Sequence, residues 1–291
     1  MTNHYQFKNI DQSIYCETTG PSSSESAIIF LHGLASNASR WRELMSDLEL
    51  KDKSYLLAMD LRGHGHSMTY QNYQRQNWCS DVQTLISDLN KPAIVIGHSM
   101  GAQIALDSAT QNQTHLQGLI LIDPVFPQAI TGVLKNVARL RWLISGIAFS
   151  LGAFNRLANR LGILKCQYPY RDLQKLDQKT RAFLAENPDK DIAELYMNPF
   201  ADLEFMPLAN YLKDMVEVTR KIPPLDKIHV PVLVLLSSGA STSNVDINRK
   251  ILSRIPRLEI QTIHADHWLL TEKPDEARNI IEAWCKQKLE I

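Results

Sequence analysis

The sequence predicts an α/β fold in which a mostly parallel sheet is flanked by helices, with a helical lid inserted after the sixth strand. Three observations support this prediction. Short, nearly continuous apolar runs recur along the chain, as expected of parallel strands that are buried on both faces. Segments with an apolar residue at every third or fourth position separate these runs, which is the helical period. From about residue 126 to residue 224 the strand-like runs stop, and the sequence stays helical in character.

The predicted elements follow one another in a regular order. The strand-like runs are SIYCETTG (13–20), SAIIFLHG (26–33), SYLLAMDL (54–61), PAIVIGHS (92–99), LQGLILID (116–123), VPVLVLLSS (230–238) and LEIQTIHA (258–265). Between them lie helical segments such as RWRELMSDLEL (40–50) and NWCSDVQTLISDL (77–89). This alternation favours one α/β core made of residues 1–125 and 225–291, with residues 126–224 as a lid. A lid there would cover the carboxyl edge of the sheet, where open α/β folds bind ligands.

Composition narrows the class of partner. The 291 residues are 44% hydrophobic, which is enough for one large domain. Lys plus Arg and Asp plus Glu balance at 31 each, so no nucleic-acid surface is indicated and a small-molecule partner is expected.

Four scattered cysteines lack metal-ligand spacing, which predicts free thiols and no metal site. The N-terminal residues do not resemble a cleaved signal, so a cytoplasmic protein is expected. The sequence specifies no oligomeric state.

The stretch VIGHSMGAQIA (95–105) has the spacing of a nucleophile on a sharp turn. An apolar run ends at Gly97, and helical spacing begins at Gly101, so the chain reads strand, tight turn, helix. In that setting the pattern Gly-x-Ser-x-Gly lifts the serine above the carboxyl end of the strand, and the two glycines allow close backbone approach. The sequence therefore predicts that Ser99 is a nucleophile.

A serine hydroxyl is a weak nucleophile at neutral pH, so it needs a base that is itself oriented by an acceptor. His267 is the first choice for the base because it follows the last apolar strand and precedes a helix start. His264, still within that predicted strand, is the second choice. His32 and His98 adjoin glycines of the site, where supporting the loops is the expected role.

Four segments, taken in order, resemble the α/β-hydrolase superfamily. They are FLHGLASNASRW (30–41), MDLRGHGHS (59–67), GHSMG (97–101) and HADHWLLTEKPDE (264–276). Members of this superfamily place the nucleophile after strand five, the acid after strand six or seven, and the histidine after strand eight. The resemblance therefore implies an α/β-hydrolase fold, and it places His267 on the base-bearing loop.

The acid of the predicted triad departs from the commonest family pattern. Many members carry an Asp just after strand seven, where this chain has Ala240 and Ser241. Asp123 ends the run LQGLILID, which is strand six in the numbering of the superfamily. Some branches of the superfamily take their acid from that location. The predicted triad is therefore Ser99, Asp123 and His267. Two alternatives remain, namely Asp246 as the acid, or Asp123 as only a turn-starting and helix-capping residue before a proline.

The same resemblance implies two oxyanion donors, the backbone amides of Leu34 and Met100. A β-carbon at Gly33 would crowd the approach to the nucleophile. The predicted substrate-binding residues are Gly33, His98, Trp268 and Trp142. The loop DLRGHGHS is interpreted as scaffolding, which Arg62 together with Asp60 pins by hydrogen bonds.

The resulting hypothesis is a serine hydrolase that needs no cofactor and cleaves a carboxylic ester or similar acyl bond through an acyl-enzyme. The apolar lid indicates a hydrophobic small molecule or lipid as the ester substrate, unless its apolar residues only pack lid helices together. Arg139 and Arg141 allow a weak contact of the lid with an anionic membrane. Two alternatives remain open: a carbon–carbon bond hydrolase of ring-fission products, and a non-catalytic ligand-binding protein that lacks the acid.

Overall fold

The computed structural model describes residues 3–187, 189–196, 198–239 and 243–290. In these residues eight strands form one sheet. They are β1 (Asn3–Asn9), β2 (Gln12–Thr19), β3 (Ala27–Leu31), β4 (Tyr55–Met59), β5 (Ala93–His98), β6 (Leu116–Ile122), β7 (Val232–Ser237) and β8 (Leu258–Ile263). Their spatial order is β1-β2-β4-β3-β5-β6-β7-β8, and only the β1–β2 and β2–β4 pairs are antiparallel. The fold is thus an α/β-hydrolase fold with a mostly parallel sheet.

The helices of the described residues flank this sheet or connect its strands. They are α1 (Arg42–Asp47), α2 (Arg75–Leu89), α3 (Met100–Gln111), α4 (Gly132–Arg139), α5 (Arg141–Arg160), α6 (Leu173–Glu186), α7 (Ile192–Tyr196), α8 (Pro199–Asp202), α9 (Leu208–Val218), α10 (Val245–Leu252), α11 (Leu269–Glu272) and α12 (Pro274–Leu289). Short 3-10 turns lie at Ala38–Trp41, Glu49–Asp52, Gly65–Ser67 and Leu225–Lys227. The segment 40–50, predicted as one helix, is therefore α1 with a 3-10 turn on either side.

Two hydrophobic clusters cover the two faces of the sheet. Alternate residues of a strand point to opposite faces. Ile29 and Leu31 of β3 accordingly pack in the cluster with side chains of α2 and α3, and Ile28 and Phe30 pack with Trp41 and with side chains of α12. Burial of each such side chain contributes about 1.5–3 kcal/mol. Both faces are apolar, which is why the central strands read as continuous apolar runs.

Strand β1 was not predicted from the sequence. Its residues are mostly exposed at the edge of the sheet, where it pairs with β2 as an antiparallel hairpin. An exposed edge strand needs no apolar run, so its sequence NHYQFKN carries only a weak strand pattern.

Helices α4 to α9 lie between β6 and β7, in the segment predicted as a lid, and no strand interrupts them in the described residues. Helix α5 packs mainly along α9. Hydrogen bonds join helix α9 to the core. The side-chain amide of Asn210 donates to the carbonyl oxygens of Gly63 (3.2 Å) and Thr69 (3.1 Å). Tyr73 Oη donates to Asp214 Oδ1 (3.1 Å). Among the described helices, none has both the length and the apolar character needed to span a bilayer.

Candidate active site

Ser99 is the single residue between β5 and α3. Its backbone has φ +53° and ψ −111°, and such a conformation costs a non-glycine residue about 1–3 kcal/mol unless the surrounding structure holds it. The neighbouring strand supplies part of that support, because the Ser99 amide donates to the carbonyl oxygen of Ile122 (2.9 Å). The hydroxyl is therefore fixed at the carboxyl end of β5.

Two glycines allow the strand and the helix to approach each other at this turn. A β-carbon on Gly101 would lie 2.2 Å from the carbonyl oxygen of Leu31, and one on Gly97 would lie 2.4 Å from the carbonyl oxygen of Gly101. Both obstacles are backbone atoms, so rotation of a side chain cannot remove the clash. The spacing Gly-x-Ser-x-Gly thus has a direct steric cause.

We expect Gly101→Ala to lower the free energy of unfolding by about 1–3 kcal/mol or more, because overpacking here must displace β3 or α3. Urea denaturation followed by circular dichroism measures this change. Gly146→Ala is the matched control, since Gly146 lies in helix α5 and a β-carbon there meets no atom within 4 Å. The control should be neutral or stabilising. Equal destabilisation by the two variants would contradict the steric argument.

The structure brings Ser99, His267 and Asp123 into one hydrogen-bonded chain. His267 Nε2 lies 3.0 Å from Ser99 Oγ, and His267 Nδ1 lies 2.5 Å from Asp123 Oδ2. The three residues are at most 9% exposed. Asp123 directly follows β6, and its Oδ1 accepts hydrogen bonds from the amide (3.1 Å) and the hydroxyl (2.9 Å) of Ser237 at the end of β7.

The surroundings of Asp123 favour its charged form. Burial by itself would raise the pKa of this carboxyl group, but the hydrogen bond and positive charge of His267 oppose that effect. Together with the two hydrogen bonds from Ser237, they hold the pKa of Asp123 below its ordinary value. A carboxylate in this position can accept the Nδ1 proton of His267 and leave Nε2 free to accept the proton of Ser99 Oγ.

The alternative acid and base lie elsewhere. Asp246 is exposed in the first turn of α10, and the structure does not bring it to His267. Ala240 and Ser241, the positions where many family members carry the acid, lie outside the described residues. His264 is exposed just beyond β8, where its Nδ1 lies 2.9 Å from Ser238 Oγ. It therefore makes a different contact from the one expected of the base.

The backbone amides of Leu34 and Met100 are the predicted oxyanion donors. Met100 is the first residue of α3, and an amide in the first turn of a helix has no acceptor within that helix. Leu34 follows β3 and lines the same cavity as Ser99. In the described part of the chain, neither amide donates to another backbone group. Both remain able to donate to a substrate oxygen.

His98 supports the histidine loop. Its Nε2 lies 3.0 Å from the carbonyl oxygen of His267 and donates to it. Burial, together with the neighbouring His267, lowers the pKa of His98 to about 3, so its ring stays neutral. Gly33 lies next to it, and a β-carbon there would be 3.3 Å from His98 Nδ1. Both residues also line the cavity, as predicted for substrate contacts.

Arg62 and Asp60 both fix the loop DLRGHGHS by hydrogen bonds, as the sequence indicates, and each binds a different partner. Arg62 forms a bidentate ion pair with Asp81 of α2 (2.6 and 3.0 Å). Asp60 accepts from the amides of Ala38 and His66 (2.7 Å each), and burial raises the pKa of Asp60 to about 7. The two side chains thus brace the loop in separate directions, which their closeness in sequence did not indicate.

A cavity of about 440 Å³ opens above Ser99. Its wall is largely apolar and includes Leu34, Val125, Leu134, Leu176, Met215 and Val218. Trp268 also lines it, as predicted. Trp142 does not line it, which corrects that prediction: its side chain is 76% exposed on α5. The cavity wall comes from both the core and the helices between β6 and β7.

Sequence reasoning missed a pair of cavity residues, Arg40 and Tyr196. The guanidinium of Arg40 lies 5.2 Å from the centre of the Tyr196 ring, and that ring packs at 43° against the Trp268 ring, with 5.3 Å between the ring centres. Arg40 also forms an ion pair with Asp177 of α6. Arg40 belongs to the segment FLHGLASNASRW, and the resemblance of that segment to the superfamily was a signal that could have identified it. Nothing in the local sequence marked Tyr196 of α7.

The sheet topology and the Ser99–His267–Asp123 arrangement define an α/β-fold hydrolase. A family model described as the alpha/beta hydrolase family matches residues 28–279, and the chain belongs to that family.

The three relatives named here are less than 25% identical to this chain in sequence. The sn-1-specific diacylglycerol lipase ABHD11 of Mus musculus is 22% identical over 268 residues, covering 89% of this chain and 80% of the mouse protein. The esterase EaEST of Exiguobacterium antarcticum superposes with a TM-score of 0.67 at 16% identity, covering 95% of this chain and 96% of that chain. The enol-lactonase of Burkholderia xenovorans LB400 gives 0.66 at 17% identity, with 94% and 97% covered. The two structural likenesses support the fold.

Proposed function

We propose that this protein is a serine hydrolase that cleaves a carboxylic ester of a hydrophobic small molecule or lipid through an acyl-enzyme on Ser99. The observation that carries the proposal is the hydrogen-bonded chain from Ser99 through His267 to Asp123 at the base of an apolar cavity. The active site belongs to the core, and residues 126–224 form the lid above it.

Acylation uses the three side chains in sequence. Ser99 Oγ attacks the ester carbonyl carbon while His267 Nε2 accepts its proton, and the Asp123 carboxylate stabilises the imidazolium that results. The negative charge moves to the carbonyl oxygen, where the amides of Leu34 and Met100 stabilise it. Loss of one such donor lowers the rate by roughly 10²–10³-fold in related chemistry.

The intermediate collapses when the bond to the leaving alcohol breaks and His267 gives the alcohol oxygen its proton. The acyl group then remains on Ser99. A water molecule attacks this ester while His267 accepts one of its protons, and collapse of the second intermediate returns that proton to Ser99 Oγ. The acid product and the free enzyme are regenerated, so no cofactor is required.

The substrate class rests on the cavity and on the relatives. A volume of about 440 Å³ with a mainly apolar wall is in the range of sites for small molecules. Leu134, Leu176 and Met215 offer contacts to an acyl or alcohol chain. The relatives named above are a lipase, an esterase and a lactonase, which supports an ester as the bond that is cleaved.

The same geometry supports ester hydrolysis over the two alternatives. A non-catalytic role required a histidine without an acid, but a carboxylate lies 2.5 Å from His267 Nδ1. Carbon–carbon hydrolases of ring-fission products usually take their acid after strand seven, and here the carboxylate follows β6. Ester hydrolysis is therefore the better proposal.

The direct test uses p-nitrophenyl esters from acetate to dodecanoate, together with a fluorophosphonate that labels activated serines. We expect hydrolysis with an optimum at an intermediate acyl length, since the cavity is apolar and of moderate size. Peptide mapping should locate the phosphonate on Ser99. Background hydrolysis of every ester and an unlabelled Ser99 would contradict the proposal, and ring-fission ketones would then be the next substrates to examine.

A further inference from the structure

The outer face of α5 is apolar, whereas its inner face carries small residues. Ala148 and Ala158 are at most 5% exposed and lie on the side that packs toward the rest of the protein. Large apolar side chains of α5, and Leu161 directly after it, are between 43% and 76% exposed; they are Trp142, Leu143, Ile147, Phe149, Phe154, Leu157 and Leu161. A helix of a water-soluble protein normally has the opposite arrangement. This distribution indicates that something apolar covers the outer face.

Basic residues accompany this apolar face, and acidic ones are missing from the same stretch of sequence. Residues 124–171 contain seven Lys and Arg residues and no Asp or Glu, although the chain as a whole has no net charge. Lys135, Arg139, Arg160 and Lys165 are exposed, and none of them forms an ion pair in the part of the chain that the structure describes. The partner should therefore be apolar and negatively charged at once.

We propose that α4, α5 and the residues that follow to Lys165, here called the α4–α5 surface, dock onto an anionic phospholipid bilayer. Trp142, Phe149 and Phe154 would insert among the acyl chains, and the basic side chains would contact the lipid phosphates. Helices of this composition lie in the plane of the interface with the apolar face at the level of the upper acyl chains. Docking of this kind does not require α5 to span the membrane.

The charge of the surface argues against a second copy of this chain as its occupant. Two copies meeting face to face would bring two sets of unpaired basic residues together without a carboxylate from either stretch. An anionic bilayer instead offers opposite charge and apolar depth together, and each basic residue near it strengthens binding about fivefold. Charge complementarity therefore selects the bilayer.

The surface lies close to the cavity above Ser99. Leu134 of α4 lines that cavity, and α4 packs against both α5 and α9. Bilayer docking would thus place one wall of the cavity next to the lipid. If the proposed function is right, an apolar substrate dissolved in the bilayer would travel only a short distance to Ser99; the docking proposal itself does not depend on that function.

Vesicle sedimentation of the full chain tests the proposal. The vesicles contain phosphatidylcholine alone or an equimolar mixture with phosphatidylglycerol, each at low and high salt. We expect binding to the anionic vesicles that weakens with salt, and little binding to the neutral ones. Trp142 is an internal reporter because it is 76% exposed, whereas Trp41, Trp78 and Trp284 are at most 4% exposed and the fifth tryptophan, Trp268, lies in the cavity wall. Its emission should shift to shorter wavelength on binding, and the shift should be lost in Trp142→Phe.

Two double variants separate the apolar and the electrostatic contributions. Phe149→Ser with Phe154→Ser should weaken binding about tenfold or more, since two aromatic anchors are removed. Arg139→Gln with Arg160→Gln should weaken it by about 25-fold and reduce its salt dependence. Ile10→Ser with Phe200→Ser is the matched control, because those side chains are 69% and 85% exposed outside this surface. Circular dichroism confirms that each variant is folded.

The proposal is overturned if the wild type stays in solution with anionic vesicles, binds both kinds of vesicle equally, or binds as well after the aromatic substitutions. It is also overturned if sedimentation velocity without lipid detects a dimer that the Phe149 and Phe154 substitutions dissociate, because a second copy would then cover the surface. Since the readout is binding, failure here leaves the hydrolase proposal standing, and failure of ester hydrolysis leaves the docking result standing.

Discussion

Ser99→Ala is expected to lower kcat for p-nitrophenyl esters by roughly 10⁴-fold or more. The variant lacks the hydroxyl oxygen that lies 3.0 Å from His267 Nε2, so no acyl-enzyme can form. The amides of Leu34 and Met100 and the apolar cavity remain, so KM should change little and any residual rate should reflect binding without covalent catalysis. Steady-state kinetics and the absence of phosphonate labelling measure both effects.

Ser108→Ala is the matched control for this variant. Ser108 is also a buried serine, but it lies in α3, about two and a half turns of helix beyond Ser99. Its replacement should leave kcat within about twofold of the wild-type value, as expected for a small change outside the site. Equal activity of Ser99→Ala and wild type would reject Ser99 as the nucleophile.

Asp123→Asn is expected to lower kcat by roughly 10⁴-fold with little effect on folding. The reason lies in the two hydrogen bonds from Ser237. The amide and hydroxyl of Ser237 donate to one oxygen of the Asp123 carboxyl group, so the single oxygen of an asparagine should take that place. Its NH₂ group then faces His267 Nδ1, which must accept. The proton moves to Nε2, and His267 can no longer accept the proton of Ser99.

Asp246→Asn separates the two candidate acids. Asp246 is exposed on α10, so this substitution should change kcat by less than about twofold, as most surface substitutions do. A steep loss in Asp246→Asn with an active Asp123→Asn would transfer the role of the acid to Asp246. Loss of phosphonate labelling in Asp123→Asn would distinguish failed activation of Ser99 from failed deacylation.

Much of the fold could be predicted because buried parallel strands leave a strong sequence signal. The central strands need apolar side chains on both faces, and the turn at Ser99 needs glycines at fixed positions because backbone atoms of Leu31 and Gly101 approach them closely. The α/β-hydrolase fold and family are confirmed. Strand β1 was missed because an exposed edge strand needs neither apolar side chains on both faces nor glycines at fixed positions.

The details of the site depended on distances that one sequence does not contain. Arg62 was expected to pin its loop, but its partner, Asp81 of α2 at 2.6 Å, could not be named from the sequence. Trp142 was expected at the substrate because a lid supplies the walls of such pockets, and it is exposed. Tyr196 lies in the cavity wall, where its ring contacts Arg40 and Trp268. Each of these contacts depends on how distant elements pack against one another.

The position of the acid after β6 has a consequence for protein engineering. Hydrogen bonds across the sheet join the segments that carry the nucleophile and the acid, from the Ser99 amide to Ile122 and from the Asp123 amide to Leu235. Strand β7 supplies hydrogen-bond partners to Asp123, at Leu235 and Ser237, but no reacting group. The connection from β7 to α10 therefore carries none of the three reacting groups. A directed-evolution library can therefore vary the length and sequence of this connection, since neighbouring strands set the spacing of the nucleophile and the acid.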